Sequence, residues 1–400
     1  MSKTKSLSPI DELLSTHRVI LCCGPGGVGK TSLSAALALR GAGRLGLRTI
    51  VVTVDPAKRL GDAMGIHELD DQPTQIDPAL LERLGYNANS SLSAAMLDSA
   101  SSWDRMVRRY APSAEIAEQI VANPLYRNIT QRFVNAHEYA AVERLYELHR
   151  QAQYDLIIID TPPSRHAKDL LEAPARLKEF FGSRLLKLLA VPGRNPVGRL
   201  AMKPFSLVAN SILGPRFFDD ISEFFALLSK LSDGFIKRAQ AVEELLHDPS
   251  TAYVVVTSPE DGPVEESRSF IATLEAQGLE ASVVIANRVT RPFLDDTRVS
   301  LGELIRSAAT VELLDVAMSK PAKNSEADET GASKQGANKT TRTLAESLAT
   351  VTDETQARAT QQIATLANLK LNKNVALVVV PFFSADLHAL DGLQALEQAL

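Results

Sequence analysis

The chain has 400 residues, of which 45% are hydrophobic and 23% are charged, and its formal net charge is -5. This length allows two or three domains or one large α/β domain, and the mild acidity argues against a general nucleic-acid binder, which would carry a basic surface. The first residues lack an apolar signal segment and no apolar run reaches membrane-spanning length, so we expect a cytoplasmic protein without direct membrane insertion.

Seven short apolar runs predict β-strands and alternate with helical stretches. Runs without polar alternation are typical of parallel strands covered on both faces, so we expect an α/β fold with a doubly wound, mostly parallel sheet. The predicted strands cover residues 18–23, 49–54, 92–97, 156–159, 253–256, 283–286 and 375–380.

Two long segments, 99–151 and 165–247, show no strand signal and are rich in Leu, Ala, Glu and Arg. We expect them to be helical insertions that form a helical subdomain at one end of the sheet. Residues 320–341 are almost all polar or small, which predicts a flexible linker before a helical pattern returns at 343–369. The whole chain, 1–400, is then predicted to be one domain.

A phosphate-binding loop is predicted directly after the first strand, where residues 24–32 read Gly-Pro-Gly-Gly-Val-Gly-Lys-Thr-Ser. This is the Walker A spacing of P-loop NTPases, with a helix following it whose positive N-terminus faces the phosphates. Lys30 would contact the β- and γ-phosphates of ATP and Thr31 would ligate Mg²⁺. The predicted cofactor-binding residues of the loop are Gly26, Gly27, Val28, Gly29, Lys30, Thr31 and Ser32. The alternative is a glycine-rich turn with a chance Gly-Lys-Thr.

Asp55 follows the second predicted strand and precedes Pro56. The carboxyl ends of parallel strands face the ligand, so Asp55 is a candidate catalytic residue that orients or deprotonates the attacking water. The alternative is a helix N-cap followed by proline at the first helical position.

Asp160 closes the apolar run at 156–159. This is the Walker B arrangement, in which the carboxylate holds Mg²⁺ directly or through a water. Arg165 and His166 follow on a loop that would sense the γ-phosphate, and Arg165 is either a transition-state cation or a solvated side chain. The histidines lack zinc-ligand spacing, so we expect no metal beyond Mg²⁺.

Two late strand ends are candidates for binding the base. The amide of Asn287 would pair with the purine edge, and Pro381 and Phe382 would pack on the ring. Ordinary turn chemistry at the ends of strands explains the same residues equally well.

These motifs resemble those of the ArsA-like, or anion-transporting, ATPases, which include the arsenical pump-driving ATPase and the factor that targets tail-anchored membrane proteins. The resemblance covers nearly the whole chain. Residues 26–31, 55–57 and 160–166 match the family's P-loop, switch I and switch II, and Asn287 and the Val-Pro-Phe at 380–382 match its base-binding strand ends. It implies an ATPase that cycles through a nucleotide-sandwich dimer and drives the handling of a protein client or membrane partner.

Two departures from the family limit what the resemblance implies. Family members carry a lysine that reaches across the dimer to the partner's phosphates, and Pro25 occupies that position here. The only cysteines are Cys22 and Cys23, adjacent in the first strand, so neither the family's intersubunit zinc nor its arsenite-binding thiols are expected. We expect a buried structural role for both cysteines.

The partner of this protein is left open by the sequence. The apolar helical clusters within 185–245 predict either a groove for a hydrophobic protein client or plain core packing. One alternative is a nucleotide-binding, poorly hydrolysing subunit of a heterodimer with a lysine-bearing paralogous ATPase, in place of a homodimer. The other is a MinD- or ParA-like spatial regulator, although the C-terminal segment 385–397 lacks the basic residues of membrane-cycling members.

Overall fold

The computed structural model describes residues 7–54, 59–66, 69–87, 89–97, 99–126, 136–184, 223–293, 300–307, 310–314, 334–383 and 390–400. Eight strands form one sheet, and they are β1 (Val19–Cys23), β2 (Thr49–Thr53), β3 (Thr74–Gln75), β4 (Leu92–Met96), β5 (Leu156–Asp160), β6 (Thr251–Thr257), β7 (Ala281–Val289) and β8 (Ala376–Pro381). The main helices are α1 (Pro9–Thr16), α2 (Lys30–Gly43), α3 (Arg59–Met64), α4 (Pro78–Arg83), α5 (Ser99–Tyr110), α6 (Ala114–Ala122), α7 (Ala136–Gln151), α8 (Ser164–Gly182), α9 (Ser232–Leu246), α10 (Asp261–Ala276), α11 (Leu301–Arg306), α12 (Lys334–Ala367) and α13 (Leu390–Ala399).

The strand order is β3-β4-β2-β5-β1-β6-β7-β8. All neighbouring pairs are parallel except β3 and β4. The chain runs from β1 to β2 on one side and later from β5 to β6 on the other, so β1 lies at the point where the strand order reverses. In such sheets ligands bind beyond the carboxyl end of this central strand.

The prediction of a doubly wound, mostly parallel α/β sheet is confirmed, and each of the seven predicted strands corresponds to an observed one. The sequence did not predict β3, because a two-residue antiparallel strand shows no apolar run. Strands β6 and β7 are longer than predicted, since polar or small residues at their ends also pair.

Local capping residues fix the start of two helices near the sheet. The Ser8 hydroxyl accepts a hydrogen bond from a backbone N–H in the first turn of α1, and the Asp77 carboxylate does the same for α4. Proline follows each cap at the first helical position, where its missing N–H costs nothing. Both helices therefore begin where the sequence places an N-cap before proline.

Each face of the sheet is covered by its own hydrophobic cluster. One cluster contains residues of α1, α2 and α13 against one face, and Cys22 points into it. The other contains Cys23 and the described helices of both predicted insertions, α5 to α9, against the opposite face. The two cysteines are thus buried on opposite faces, as expected for successive residues of a strand.

The described parts of the insertions, which include α5 to α9, contain no strand. Their side chains share one core with the sheet, so this part of the chain packs along a sheet face. Phe224, one of the apolar residues considered for a client groove, is 1% exposed within this core. Most of that apolar segment, residues 185–222, lies outside the described residues. The division into one domain with a helical subdomain stays a prediction.

The predicted linker at 320–341 is wrong in its last part, since α12 already begins at residue 334. Its Lys, Asn and Thr residues are compatible with an exposed helix, and the buried Thr341 and Ala345 show that one side of α12 packs against the protein. Residues 320–333 lie outside the described residues. Among the helices that the structure describes, none has both the length and the apolar character needed to cross a membrane.

A buried charge cluster attaches the C-terminal helix α13 to α2. The Glu397 side chain is fully buried and accepts hydrogen bonds from Arg40 (3.2 Å), Arg44 (3.0 Å) and the Tyr86 hydroxyl (3.1 Å). Arg40 also forms a two-pronged pair with Asp11 of α1, at 2.7 and 3.1 Å. Three helices on this face therefore share one ion-pair network.

We expect Glu397→Ala to lower the free energy of unfolding by about 2–3 kcal/mol, because it removes the buried acceptor of Arg40 and Tyr86 and leaves Arg40 with Asp11 as its remaining carboxylate. Urea titration of the full-length protein measures this change. The matched control is Glu265→Ala, which removes an exposed pair with Arg268 and should change the unfolding midpoint much less. Equal effects of the two variants would contradict a structural role for the buried cluster.

Candidate functional site

The loop between β1 and α2, residues 24–29, lies at the switch point of the sheet, and its path depends on glycines. Gly24 has φ +147° and lies so close to the Val256 carbonyl of β6 that a Cβ atom would clash with it. Gly29 has φ +94°, and a Cβ there would clash with the Asn287 amide. Both positions combine a left-handed backbone with close approach of a neighbouring strand, so only glycine fits.

The remaining residues of the loop divide into exposed and buried positions. Gly26 and Gly27 are exposed at its tip, whereas Val28 is 1% exposed and packs into the hydrophobic cluster around α2. The Pro25 ring is also buried. The loop is thus anchored by apolar contacts on both sides of an open glycine pair.

Lys30, the first residue of α2, is 7% exposed and its ammonium lies within the loop. Nζ donates hydrogen bonds to the carbonyl oxygens of Gly24 (3.0 Å) and Pro25 (2.7 Å). Burial lowers the pKa of Lys30 from its usual value, and the nearby Asp160 carboxylate opposes this shift. The loop therefore surrounds a partly desolvated cation whose hydrogen bonds go to neutral carbonyls.

Asp160 lies next to the loop because β5 pairs directly with β1. Its Oδ2 accepts hydrogen bonds from the hydroxyls of Thr31 (2.7 Å) and Thr53 (2.9 Å). Thr53 is the last residue of β2, and it lies opposite Asp160 in the pairing of β2 with β5. The ends of β2 and β5 and the start of α2 thus bring one carboxylate and two hydroxyls together. The Asp160 residue is 1% exposed.

The end of β7 contacts the outer side of the loop. Asn287 donates from Nδ2 to the Val28 carbonyl (2.8 Å), and its Oδ1 accepts from the backbone N–H of Arg288 (3.0 Å). The Arg288 guanidinium donates from Nη1 to the Gly27 carbonyl (3.1 Å). In the structure, Asn287 therefore binds the loop backbone, and its predicted contact with a purine base stays a prediction.

Pro381 and Phe382 lie at the end of β8, beside the end of β7. The N–H of Phe382 donates to the Val289 carbonyl (2.9 Å), and its ring is 63% exposed. The structure thus brings these residues and Asn287 to adjacent strand ends at the same edge of the sheet. An exposed aromatic ring at this place is available for stacking on a flat ligand.

Some predicted site residues are not placed. Asp55 lies outside the described residues, as do Pro56 and Lys58, and nothing is described of the side chains of Arg165 and His166. Ser32 lies in the first turn of α2 and is half-buried.

Sequence reasoning missed two residues that contact the site. Thr53 ends a strand next to the Walker B strand, which is a position where polar side chains reach the ligand edge. Arg288 follows Asn287 directly, and only its positive φ of 61° turns it toward the loop. The first could have been found from its place at a strand end, whereas the second carries no signal in the sequence.

The residues present fit a polyphosphate and a hard divalent cation. Glycines with no Cβ leave space for a ligand to approach the backbone amides, and Lys30 offers a cation at the N-terminus of α2. Thr31 and Asp160 are hydroxyl and carboxylate donors of the type that Mg²⁺ prefers. These are the donor types that a nucleoside triphosphate and its metal ion require.

Comparison with known proteins gives matches over much of the chain. A family model described as anion-transporting ATPase matches residues 17–303. An uncharacterized protein of Streptomyces coelicolor is 28% identical over 280 residues, which are 68% of this chain and 62% of that protein. ATPase GET3B of Arabidopsis thaliana is 26% identical over 308 residues, 74% and 71% of the two chains. A protein of Aquifex aeolicus, named as a candidate arsenical pump-driving ATPase, is 25% identical over 284 residues, 68% and 63% of the two chains.

The matched part of this chain spans less than two thirds of the Streptomyces and Aquifex proteins. The family match begins just before β1, runs past β7 and includes both Lys30 and Asp160. It covers well over half of the 400 residues. The resemblance to the family is thereby confirmed, although the match ends before the Val-Pro-Phe element at 380–382. The chain belongs to the anion-transporting ATPase, or ArsA, family.

Proposed function

We propose that this protein binds ATP with Mg²⁺ in the loop 24–32 and hydrolyses it to ADP and phosphate. The observation that carries the proposal is the hydrogen bond between Thr31 and Asp160, which joins the two halves of the predicted metal site. These residues are 129 positions apart in the sequence, and the same contact lies beside the Lys30 ammonium. A phosphate loop, a cation and a metal-binding carboxylate are the parts that phosphoryl transfer requires.

Nucleotide binding would change the partners of Lys30. Its ammonium now donates to two neutral carbonyls, and a β- or γ-phosphate oxygen is a stronger acceptor because it carries negative charge. Exchange of a carbonyl for a phosphate therefore favours the ligand, and it would also relieve the cost of burying the charge. The site is thus electrostatically prepared for an anion.

Thr31 and Asp160 would hold Mg²⁺, directly or through water. The metal, when bound, neutralises phosphate charge during phosphoryl transfer. Thr53 would not contact the metal itself but would orient its ligand, since the Thr53 hydroxyl donates a hydrogen bond to the Asp160 carboxylate. Residues that orient a metal ligand in this way commonly contribute ten- to hundredfold to metal affinity.

Asp55 is the proposed base or orienting residue for the attacking water. Support comes from Thr53, which lies two residues earlier and contacts Asp160 across the edge of the sheet. Val54, the last described residue before Asp55, donates its backbone N–H to the Asp160 carbonyl at 3.2 Å.

The cycle that we propose follows from family membership. ATP draws two protomers together as a nucleotide-sandwich dimer, and hydrolysis releases them while a hydrophobic protein client or membrane partner is handled. The cytoplasm is the proposed location. A MinD- or ParA-like regulator is less well supported, because the apolar side of α13 is covered by α2 and its buried Glu397 pairs with Arg40.

Lys30→Ala should weaken ATP binding by about 2 kcal/mol, or roughly thirtyfold in Kd, because the variant loses a charge-assisted contact with the phosphates. Isothermal titration calorimetry in the presence of Mg²⁺ measures the change. Lys373→Ala, at an exposed position before β8, is the control for loss of one positive charge. Unchanged affinity in Lys30→Ala would contradict the assignment of the loop.

Asp55→Asn should retain ATP and lose about 10²-fold or more of the hydrolysis rate, since an amide keeps the shape of the side chain and loses its basicity. Phosphate release under saturating ATP measures the rate, and calorimetry shows whether binding persists. A variant that hydrolyses ATP as fast as the wild type would return Asp55 to the role of a helix cap.

A second candidate is a poorly hydrolysing subunit that pairs with a lysine-bearing paralogue. The observation behind it is Pro25, whose buried ring and occupied carbonyl offer no cation to a partner's phosphates. In a homodimer this cation would then be missing from both sites. An equivalent charge supplied in trans by an arginine finger is worth about 10³-fold or more in rate.

We therefore expect slow hydrolysis by the wild-type protein alone and faster hydrolysis by Pro25→Lys, whose longer side chain can extend out of the loop. Pro25→Met is the matched control, because it removes the ring without adding charge. Steady-state rates are compared after melting curves confirm that both variants fold. Equal turnover by the wild type and Pro25→Lys would remove the main support for the heterodimer.

A further inference from the structure

Arg288 has a left-handed backbone conformation at an irregularity of the β7–β8 pairing. Among the described residues, three other than glycine have positive φ: Ala152 at 55°, Arg288 at 61° and Lys370 at 50°. Ala152 follows α7 and Lys370 follows α12, where left-handed residues commonly end helices. Arg288 instead lies within β7, one residue before its end. A left-handed residue there is strained, and such strain tends to persist where it serves a function.

The effect of this conformation is to direct two successive side chains at the same loop. In a regular strand the side chains of Asn287 and Arg288 would point to opposite faces of the sheet. Here Asn287 donates to the Val28 carbonyl at 2.8 Å, and Arg288 donates to the Gly27 carbonyl at 3.1 Å. The pairing of β7 with β8 is also irregular between Ala286 and Val289, so the regular strand register is interrupted at Arg288.

Two sets of hydrogen bonds hold the loop carbonyls, and a ligand would affect them differently. Lys30 binds the carbonyls of Gly24 and Pro25 from inside the loop and would exchange them for phosphate oxygens. Further along the loop, Arg288 binds the Gly27 carbonyl and Asn287 binds the Val28 carbonyl, both from the side of β7. Their contacts can remain when a nucleotide binds, and they fix the glycine pair whose amides line a phosphate site.

We propose that Arg288 is a positioning residue of the phosphate site, which holds the exposed Gly27 so that the loop amides are already oriented toward the β-phosphate of a nucleoside di- or triphosphate. The inference rests on the proposed nucleotide site. We expect the hydrogen bond from Arg288 to Gly27 to contribute to nucleotide binding and little to the stability of the fold, because it is exposed and its acceptor is a neutral carbonyl.

Arg288→Gly separates binding from stability, since glycine adopts positive φ without strain and has no guanidinium. We expect Kd to rise roughly tenfold for both ATP and ADP, as for loss of one charged hydrogen bond, while the melting temperature stays equal or rises. The two nucleotides should lose affinity equally because they share the β-phosphate. In turnover assays KM should rise and kcat should change little, as for loss of binding that is equal in the ground and transition states.

Lys370→Gly is the matched control, because it relieves the same type of backbone strain away from the loop and should leave nucleotide affinity unchanged. Arg288→Lys keeps one donor and the charge, and it should recover part of the affinity that Arg288→Gly loses. Calorimetry with ATP and ADP, and melting curves without nucleotide, are measured on all variants of the full-length protein.

Several outcomes would overturn the role of Arg288. The first is unchanged nucleotide affinity in Arg288→Gly. The second is a parallel fall in melting temperature and nucleotide affinity in both Arg288 variants. The third is a loss of affinity for ATP but not for ADP, which would place the side chain on the γ-phosphate. Lys30→Ala is measured alongside. If it weakens binding while Arg288→Gly does not, only this inference fails; if neither does, the nucleotide site itself is wrong.

Discussion

The close packing of the loop 24–29 between three strand ends is the constraint on which the rest of the site depends. Strand β1 has β5 on one side and β6 on the other, so the chain leaving it passes directly beneath Val256 and beside Asp160. No side chain fits at Gly24, because a Cβ there would clash with the Val256 carbonyl. The loop leads to Lys30 at the start of α2 and to Thr31, whose hydroxyl binds the Asp160 carboxylate.

The treatment of buried charge distinguishes the site from the rest of the protein. Arg40 is paired with Glu397 and Asp11, and Arg238 of α9 forms a two-oxygen contact with Glu143 of α7 at 2.9 Å. Lys30 is buried to a similar extent, yet among the described residues it forms no ion pair within 4 Å. A buried cation satisfied only by carbonyls is stabilised further by an anion, which is why its burial indicates a binding site.

The helical insertions are connected to the nucleotide edge by both apolar packing and charge. Their core is continuous with one sheet face, and Asp71, a few residues after α3, contacts two of their helices. Arg105 of α5 lies 2.6 Å from its carboxylate, and Arg144 of α7 donates to its carbonyl at 2.9 Å. These contacts attach Asp71 to two helices of the insertions.

The sequence by itself predicted the strands of the sheet and singled out the loop 24–32 and the residues Thr31 and Asp160, which the fold brings into contact. Continuous apolar runs, glycine spacing and a strand-ending aspartate are local signals. The sequence did not predict contacts between segments that are distant along the chain. Thr53 reaches Asp160 only because β2 and β5 are neighbours, and α12 begins inside a predicted linker because tertiary burial of Thr341 and Ala345 outweighs polar composition. Asn287 was expected to face a base and binds the Val28 carbonyl. Arg288 reaches the loop through a left-handed backbone that its residue type disfavours, so only the packing of β7 against the loop could decide its position.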